Sequence, residues 1–230
     1  MLSPLSLLRK HGIRPNKRLG QCFLCDPNLL EKIVRIADVN EGDTVVEIGA
    51  GIGFLTALIA ARARRVIAIE VDPRLVAVLK EELGDRGNVE IVHRDVLDFD
   101  LSSVRPDGET GTVKVIGNVP YNLSSAIVLR ILEYRASIAR AVLLLQREVA
   151  ERLASPPGTK DYGILSVYVA LYTTATLENH VPSSCFFPRP DVESRVLRVD
   201  MRAEPLCRVD DPAFFRELVR AAFSNRRKTL

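Results

Sequence analysis

Five short runs of β-branched and aliphatic residues constrain the fold of this chain more than any other feature. They open at Thr44 (TVVEI), Val66 (VIAIE), Val89 (VEIVH), Val113 (KVIGN within it) and Ala139 (AVLLLQ within it). Their starts lie 22, 23, 24 and 26 residues apart, the length of a strand, a helix and two turns. Runs that are apolar throughout suit strands covered on both faces, so the spacing predicts a doubly wound, Rossmann-like α/β sheet that is mostly parallel. No motif repeats between the segments, which argues against a solenoid. Residues 174–181 and 194–201 read as two further strands. Pro182, Pro188 and Pro190 between them forbid a crossover helix, so the pair is expected to be antiparallel at the sheet edge. Asp26-Pro27 and Asp211-Pro212 each pair a capping carboxylate with a proline suited to a first helical turn. The chain thus divides into residues 1–203, a catalytic sheet domain with a basic N-terminal arm, and residues 204–230, the start of a C-terminal helical appendage.

Composition removes several classes. Apolar residues make up 47% and charged residues 27%, which excludes a disordered, collagenous or coiled-coil chain. The longest clean apolar run, Ala141 to Leu145, is too short to cross a membrane. Net charge is only +3, but it is unevenly spread. Arg9, Lys10, Arg14, Lys17 and Arg18 precede Gly20 with no acid among them, and Arg216, Arg220, Arg226, Arg227 and Lys228 near the end face only Glu217. Such clusters are either solvated helix faces or phosphate contacts. Four cysteines suit reduced thiols in a cytoplasmic protein. Cys22 and Cys25 form a C-x-x-C, but Cys185 and Cys207 stand 22 positions apart and complete no zinc set. His11, His93 and His180 also lack ligand spacing, so no metal is expected. The N-terminal charges lie on the wrong side of the apolar stretch for a secretory signal; an organellar transit segment stays open.

Val45 to Gly53 reads as a strand, a glycine turn and a helix start. A dinucleotide fingerprint would require glycine at position 54, which is Phe54. Gly49 and Gly51 let the backbone approach a ligand, Glu70 ends the second strand where a carboxylate can accept from both ribose hydroxyls, and Asp95 follows the third strand within reach of an adenine amine. Acid, glycine turn, acid and acid at successive strand ends is the layout of an S-adenosylmethionine site. Glu47 would add negative charge favourable to a sulfonium. The bland reading is a tight turn with helix-capping acids.

Asn118-Val119-Pro120-Tyr121 follows the fourth strand, at the same sheet edge. An adenine amine is a poor nucleophile because its lone pair is delocalised into the ring. The Asn118 side-chain carbonyl and a backbone carbonyl near Val119 could hold that nitrogen pyramidal. Tyr121 could stack on the base while Pro120 stiffens the turn. Taken alone, the tetrapeptide is also compatible with a simple β-turn.

Arg18 to Leu24, Glu47 to Gly53, Asn118 to Asn122, Gln146 to Val149, Tyr162 to Val167, Phe186 to Val196 and Phe223 to Leu230 together resemble the motif series of the ribosomal RNA adenine dimethyltransferases. The similarity is strongest to members that dimethylate two adjacent adenosines near the 3′ end of small-subunit ribosomal RNA. This resemblance implies S-adenosylmethionine as cofactor, held by Cys22, Leu24, Gly49, Gly51, Glu70, Asp95 and Asn118. It implies a base held by Asn118 and Tyr121, with Phe186 as second stacking ring and Phe187 as its competitor. Arg14, Lys17, Arg18, Arg226, Arg227 and Lys228 become the RNA contacts, in a monomer that meets the small ribosomal subunit and no membrane. Cys22 stands where the family usually has asparagine, so weakened cofactor binding is expected. Asp191 and Glu193 also depart from the usual pattern, and the family continues past Leu230 with further helices. Large-subunit ribosomal RNA or DNA adenine methylation, and an RNA-binding assembly or transcription factor without turnover, are the competing readings.

Overall fold

The structure, a computed structural model, describes residues 4–105 and 112–224. In chain order the elements are α1 (Pro4–Lys10), β1 (Phe23–Leu24), α2 (Pro27–Ala37), β2 (Thr44–Ile48), α3 (Phe54–Ala60), β3 (Arg65–Glu70), α4 (Pro73–Leu83), β4 (Val89–His93), β5 (Val113–Asn118), α5 (Ser124–Glu133), β6 (Arg140–Gln146), α6 (Arg147–Leu153), α7 (Ile164–Tyr172), β7 (Thr173–Val181), β8 (Phe186–Phe187), β9 (Ser194–Met201) and α8 (Pro212–Ser224). All five spaced runs are strands.

They form one seven-stranded sheet in the order β4-β3-β2-β5-β6-β9-β7. The first five are mutually parallel, whereas β9 runs antiparallel to both β6 and β7. As expected from the sequence, β7 and β9 pair antiparallel at one edge of the sheet; within that pair it is β9 that runs against the rest, inserted between β6 and the outermost β7. That insertion pairs both sides of β9 and leaves β7 to close the sheet. Strand β2 is buried at every position because each face is covered. Val46, Ile48, Ile67, Val115 and Leu143 belong to one core cluster, while Val45, Val66, Ile116, Val142 and Leu144 belong to another on the opposite face. Burying each such side chain contributes roughly 1.5–3 kcal/mol, so a slip of one residue, which exchanges the faces, is strongly disfavoured.

Capping follows the predicted chemistry. Asp26 accepts from the N–H groups of Asn28 and Leu29, and Asp211 from those of Ala213 and Phe214. At the end of the sheet remote from the glycine turn, the buried Lys114 ammonium donates to Asp43 Oδ2 at 2.8 Å and to the Asp38 carbonyl. Burial alone would raise the Asp43 pKa, but hydrogen bonds from Lys114, Thr112 and the Asn40 N–H outweigh it and hold the carboxyl below its ordinary range. Such a pair fixes geometry more than it adds stability. Beyond β9 the chain stays attached to the sheet domain: the Arg202 and Leu206 N–H groups donate to the Tyr172 and Leu171 carbonyls, and α8 packs on α7 through Phe215 against Tyr168.

The order of strands also locates the site. The chain steps outward from β2 to β3 and β4, then returns to place β5 on the other side of β2. The carboxyl ends of β2 and β5 thus diverge into a crevice, the usual ligand position in an open α/β sheet. Ile48 is in register with Gly117, so the glycine turn and Asn118 emerge side by side. A Cβ on Gly117 would lie 2.8 Å from the Ile48 carbonyl oxygen, which explains a glycine inside a central strand.

Candidate active site

A cavity opens over that crevice. Its wall includes Cys22, Gly49, Gly51, Glu70, Asp95, Asn118, Pro120 and Tyr121, eight of the residues singled out in the sequence. Gly51 has φ of 60°, in the left-handed region, and a Cβ there would press on the Phe23 ring at 3.3 Å. The Gly51 N–H donates to Glu70 Oε2 at 2.8 Å, while Glu70 Oε1 accepts from the Val71 and Asp72 N–H groups, each at 2.9 Å. The carboxylate thus ties the glycine turn to the end of β3. Three of its roughly four acceptor positions are taken. It can receive one further hydroxyl without rearrangement, rather than the two expected from sequence. Burial pushes the Glu70 carboxyl up, opposed by those three N–H bonds. Asp95 Oδ1 caps the following turn by accepting from the Leu97 N–H at 2.9 Å, and Oδ2 makes no hydrogen bond within the described residues. A nucleoside fits this set of groups: an acceptor for one ribose hydroxyl at Glu70, an acceptor for an amine at Asp95 and a turn without side chains.

Asn118 is oriented by the N-terminal arm. Its Nδ2 donates to the Cys22 carbonyl oxygen at 2.7 Å. That carbonyl can only accept, so the amide nitrogen must face it and Oδ1 must face away. The Pro120 carbonyl is engaged by the Leu123 N–H at 3.0 Å. The Tyr121 hydroxyl meets Ser194 Oγ at 2.8 Å, which anchors the ring between the turn and β9. Burial raises the Tyr121 and Cys22 pKa values, so phenol and thiol are both neutral near pH 7.

Two expected contacts are not at the cavity wall. Leu24 packs in the α2–α3 core cluster and borders only an adjoining recess with Gly49 and Asn118. Phe186 pairs with Leu24 across the β1–β8 ribbon and is 5% exposed, so its ring has no free face for a base in this arrangement. Phe187 is 40% exposed but does not line the cavity either. Tyr121 is therefore the aromatic candidate of the two expected rings that the structure brings to the cavity. Among the basic residues, Arg14 and Arg18 are exposed, Lys17 opens a 3-10 turn, and Arg226, Arg227 and Lys228 lie outside the described residues.

Sequence reasoning missed Gln21 and Asp72. Gln21 Oε1 accepts from the Asn16 N–H at 2.7 Å and its Nε2 donates to Asp72 Oδ2 at 2.8 Å, which fastens the arm to the loop after β3. The Arg74 guanidinium beside Asp72 holds that carboxyl down at about 2. The Asp72-Pro73 cap was a legible signal for α4; its partner Gln21, 51 residues away, was not. Nor was the approach of His11 to Glu81 and Glu82, where Lys10 sits 2.6 Å from Glu82.

Glu47 corrects another expectation. It is 1% exposed and its Oε2 has no hydrogen-bond partner. Burial, reinforced by the nearby Glu70 charge, pushes its carboxyl up to about 8; the Thr56 hydroxyl eases the shift but makes no hydrogen bond of ordinary geometry. Glu47 is thus a neutral acid near pH 7 in this form and supplies no charge. The unfolded chain releases this proton near 4.5 and the folded chain near 8, so the folded state holds the extra proton between them. Stability is then expected to fall as pH rises through that window, by about 1 kcal/mol per unit, and to level off above it. Glu47→Gln should remove this component. Urea unfolding across the window checks it; equal slopes for parent and variant would refute the assignment.

The mostly parallel sheet, the glycine turn with its acids and the Asn118 turn define a Rossmann-like methyltransferase. A family profile described as ribosomal RNA adenine dimethylase matches residues 12–230, and the chain belongs to that family. It is 47% identical to the ribosomal RNA small subunit methyltransferase A of Syntrophus aciditrophicus, over 97% of this chain and 80% of the relative. Among solved structures, a dimethyladenosine transferase from Plasmodium falciparum superposes with a TM-score of 0.76 at 29% identity, covering 90% of this chain and 73% of that one. The 23S rRNA methyltransferase ErmE gives 0.72 at 32% identity, covering 88% and 79%. Among the described residues no helix is long and apolar enough to cross a membrane.

Proposed function

We propose that this chain transfers methyl groups from S-adenosylmethionine to the exocyclic amines of two adjacent adenosines near the 3′ end of small-subunit ribosomal RNA, as a step in ribosome maturation. The observation that carries the reading is the Asn118 amide. With Nδ2 held on the Cys22 carbonyl, its Oδ1 has no hydrogen-bond partner among the described residues, and Asn118 shares the cavity wall with Tyr121. There it can accept a hydrogen bond from an adenine amine and favour a pyramidal nitrogen.

Bound S-adenosylmethionine supplies an activated methyl group. Glu70 and Asp95 suit its ribose and adenine, and the Gly49–Gly51 turn admits it closely. Tyr121, fixed through Ser194, offers a flat face to the target base. The amine loses its proton to water after transfer, so no general base is needed in the cavity. The Cys22 contribution runs through its backbone carbonyl, which any residue provides; this supports retained base orientation despite the missing asparagine side chain. Arg14, Lys17 and Arg18 would contact phosphates, giving salt-sensitive affinity, while the pocket selects an unstacked base. The same proposal includes a monomer acting in the cytoplasm.

The likeness to a 23S rRNA methyltransferase supports a second reading, methylation of large-subunit RNA. Tritiated methyl groups should be incorporated into unmethylated small subunits and map to adjacent adenosines near the RNA 3′ end. Incorporation into large-subunit RNA instead would reject the first reading in favour of the second.

A further inference from the structure

An unassigned groove lies between α5, α7 and α8. It spans about 1030 Å³, open solvent included, and shares no lining residue with the reaction cavity. Tyr168, Tyr172 and Phe215 supply aromatic surface, and Arg135, Arg216 and Arg220 lie along it. The Arg135 guanidinium is stacked 4.1 Å from the Tyr172 ring centroid, and the Phe215 ring meets Tyr168 edge-on at 5.9 Å. Among the described residues none of these three arginines pairs with a carboxylate; Arg135 donates only to the Leu132 carbonyl. The one acid on the groove, Glu133, is paired with Arg130 at 3.2 Å. Neither tyrosine hydroxyl has a hydrogen-bond partner among the described residues. Three exposed guanidinium groups along one groove, without a carboxylate partner among the described residues, favour a bound anion.

We propose that this groove receives an unstacked nucleotide of the RNA substrate at a second position, away from the reacting adenosine, with its base against Tyr168 and Tyr172 and its flanking phosphates on Arg135, Arg216 and Arg220. The proposal rests on RNA being the substrate and adds where else that RNA is gripped. Flat aromatic and guanidinium faces suit a base of any identity, and guanidinium forks match phosphate oxygens. An acidic peptide would satisfy the arginines but add no planar group to the stacked Arg135–Tyr172 pair or to Tyr168, so RNA is the better fit.

The test uses the whole chain with a short single-stranded RNA of mixed sequence and with small ribosomal subunits, reading affinity rather than turnover. Replacing Arg135, Arg216 and Arg220 together by alanine should weaken both complexes and lower the slope of log affinity against log salt by roughly two to three, as phosphate contacts are lost. Tyr168→Leu with Tyr172→Leu should weaken binding roughly five- to a hundredfold with the slope unchanged. Ultraviolet crosslinking should place a nucleotide adduct within residues 164–172 or 212–220. Unchanged affinity and slope in the arginine variant, or adducts confined to other segments, would overturn the proposal. So would binding of an acidic peptide that RNA fails to displace. Cofactor affinity should be the same in every variant, which separates loss of this grip from misfolding. If the adduct forms but no adenosine is methylated, the groove stands and the methylation reading fails.

Discussion

Asn118→Ala is expected to lower methyl transfer to ribosomal RNA by about 10²–10³-fold while leaving the sheet folded, since a single preorganised polar group at a reacting atom is commonly worth that much. Two interactions end together: the Oδ1 acceptor for the adenine amine and the Nδ2 bond to the Cys22 carbonyl. Asn118→Asp separates them. The aspartate keeps an acceptor towards the base but turns another oxygen onto the Cys22 carbonyl, two acceptors at 2.7 Å with no proton between them, so the arm should be pushed off. Both variants should therefore be slow, with the arm less protected from exchange in the aspartate form than in the alanine form. Single-turnover methylation and amide exchange of residues 20–24 measure the two effects. Parental turnover in the alanine variant would remove the central claim about this site.

Changes at Glu70 should be nearly as severe, and by a different route. Glu70→Gln preserves shape, but its oxygen can serve either the Val71 and Asp72 N–H pair or the Gly51 N–H, and its NH2 faces the other as donor against donor. The glycine turn is then pulled from its place and cofactor affinity should fall at least about tenfold, the effect of losing roughly one charge-assisted hydrogen bond. Glu70→Ala leaves all three N–H groups without their acceptor at a site where the carboxylate is 6% exposed, and should also cost several kcal/mol of stability, at about 1–3 kcal/mol for each buried unsatisfied donor. Calorimetric titration with S-adenosylmethionine and urea unfolding distinguish the two. A glutamine variant with parental cofactor affinity would show that the carboxylate is a capping group alone.

Much of this was legible because it is local. Burial on both faces forces β2, β3, β5 and β6 to be mostly apolar, with Glu47 and Lys114 as buried exceptions, and the turns after β2 and β5 need glycine and proline whatever surrounds them. What escaped was made by distant partners. The place of β9 inside the sheet depends on which flank of β6 is open, not on any pattern in residues 194–201. Phe186 and Phe187 are identical side chains in adjacent positions; only the two-stranded ribbon with β1 decides that one is sealed and the other exposed. Glu47 and Glu70 both belong to buried strands, yet among the described residues three N–H groups bond to Glu70 and none to Glu47, so their carboxyls play different roles.

The order of apolar runs, the glycine turn and the Asn-Val-Pro-Tyr turn determined by themselves the class of fold and eight of the residues on the cavity wall, since periodicity and backbone restrictions act over a few residues; the family was legible only as a resemblance of the whole motif series. The tertiary structure alone decided the orientation of the Asn118 amide, the raised Glu47 carboxyl and the arginines beside Tyr168 and Tyr172 that meet no carboxylate among the described residues. Each depends on which groups from remote segments stand within hydrogen-bonding or Coulombic range, and those distances exist only once the chain has closed on itself.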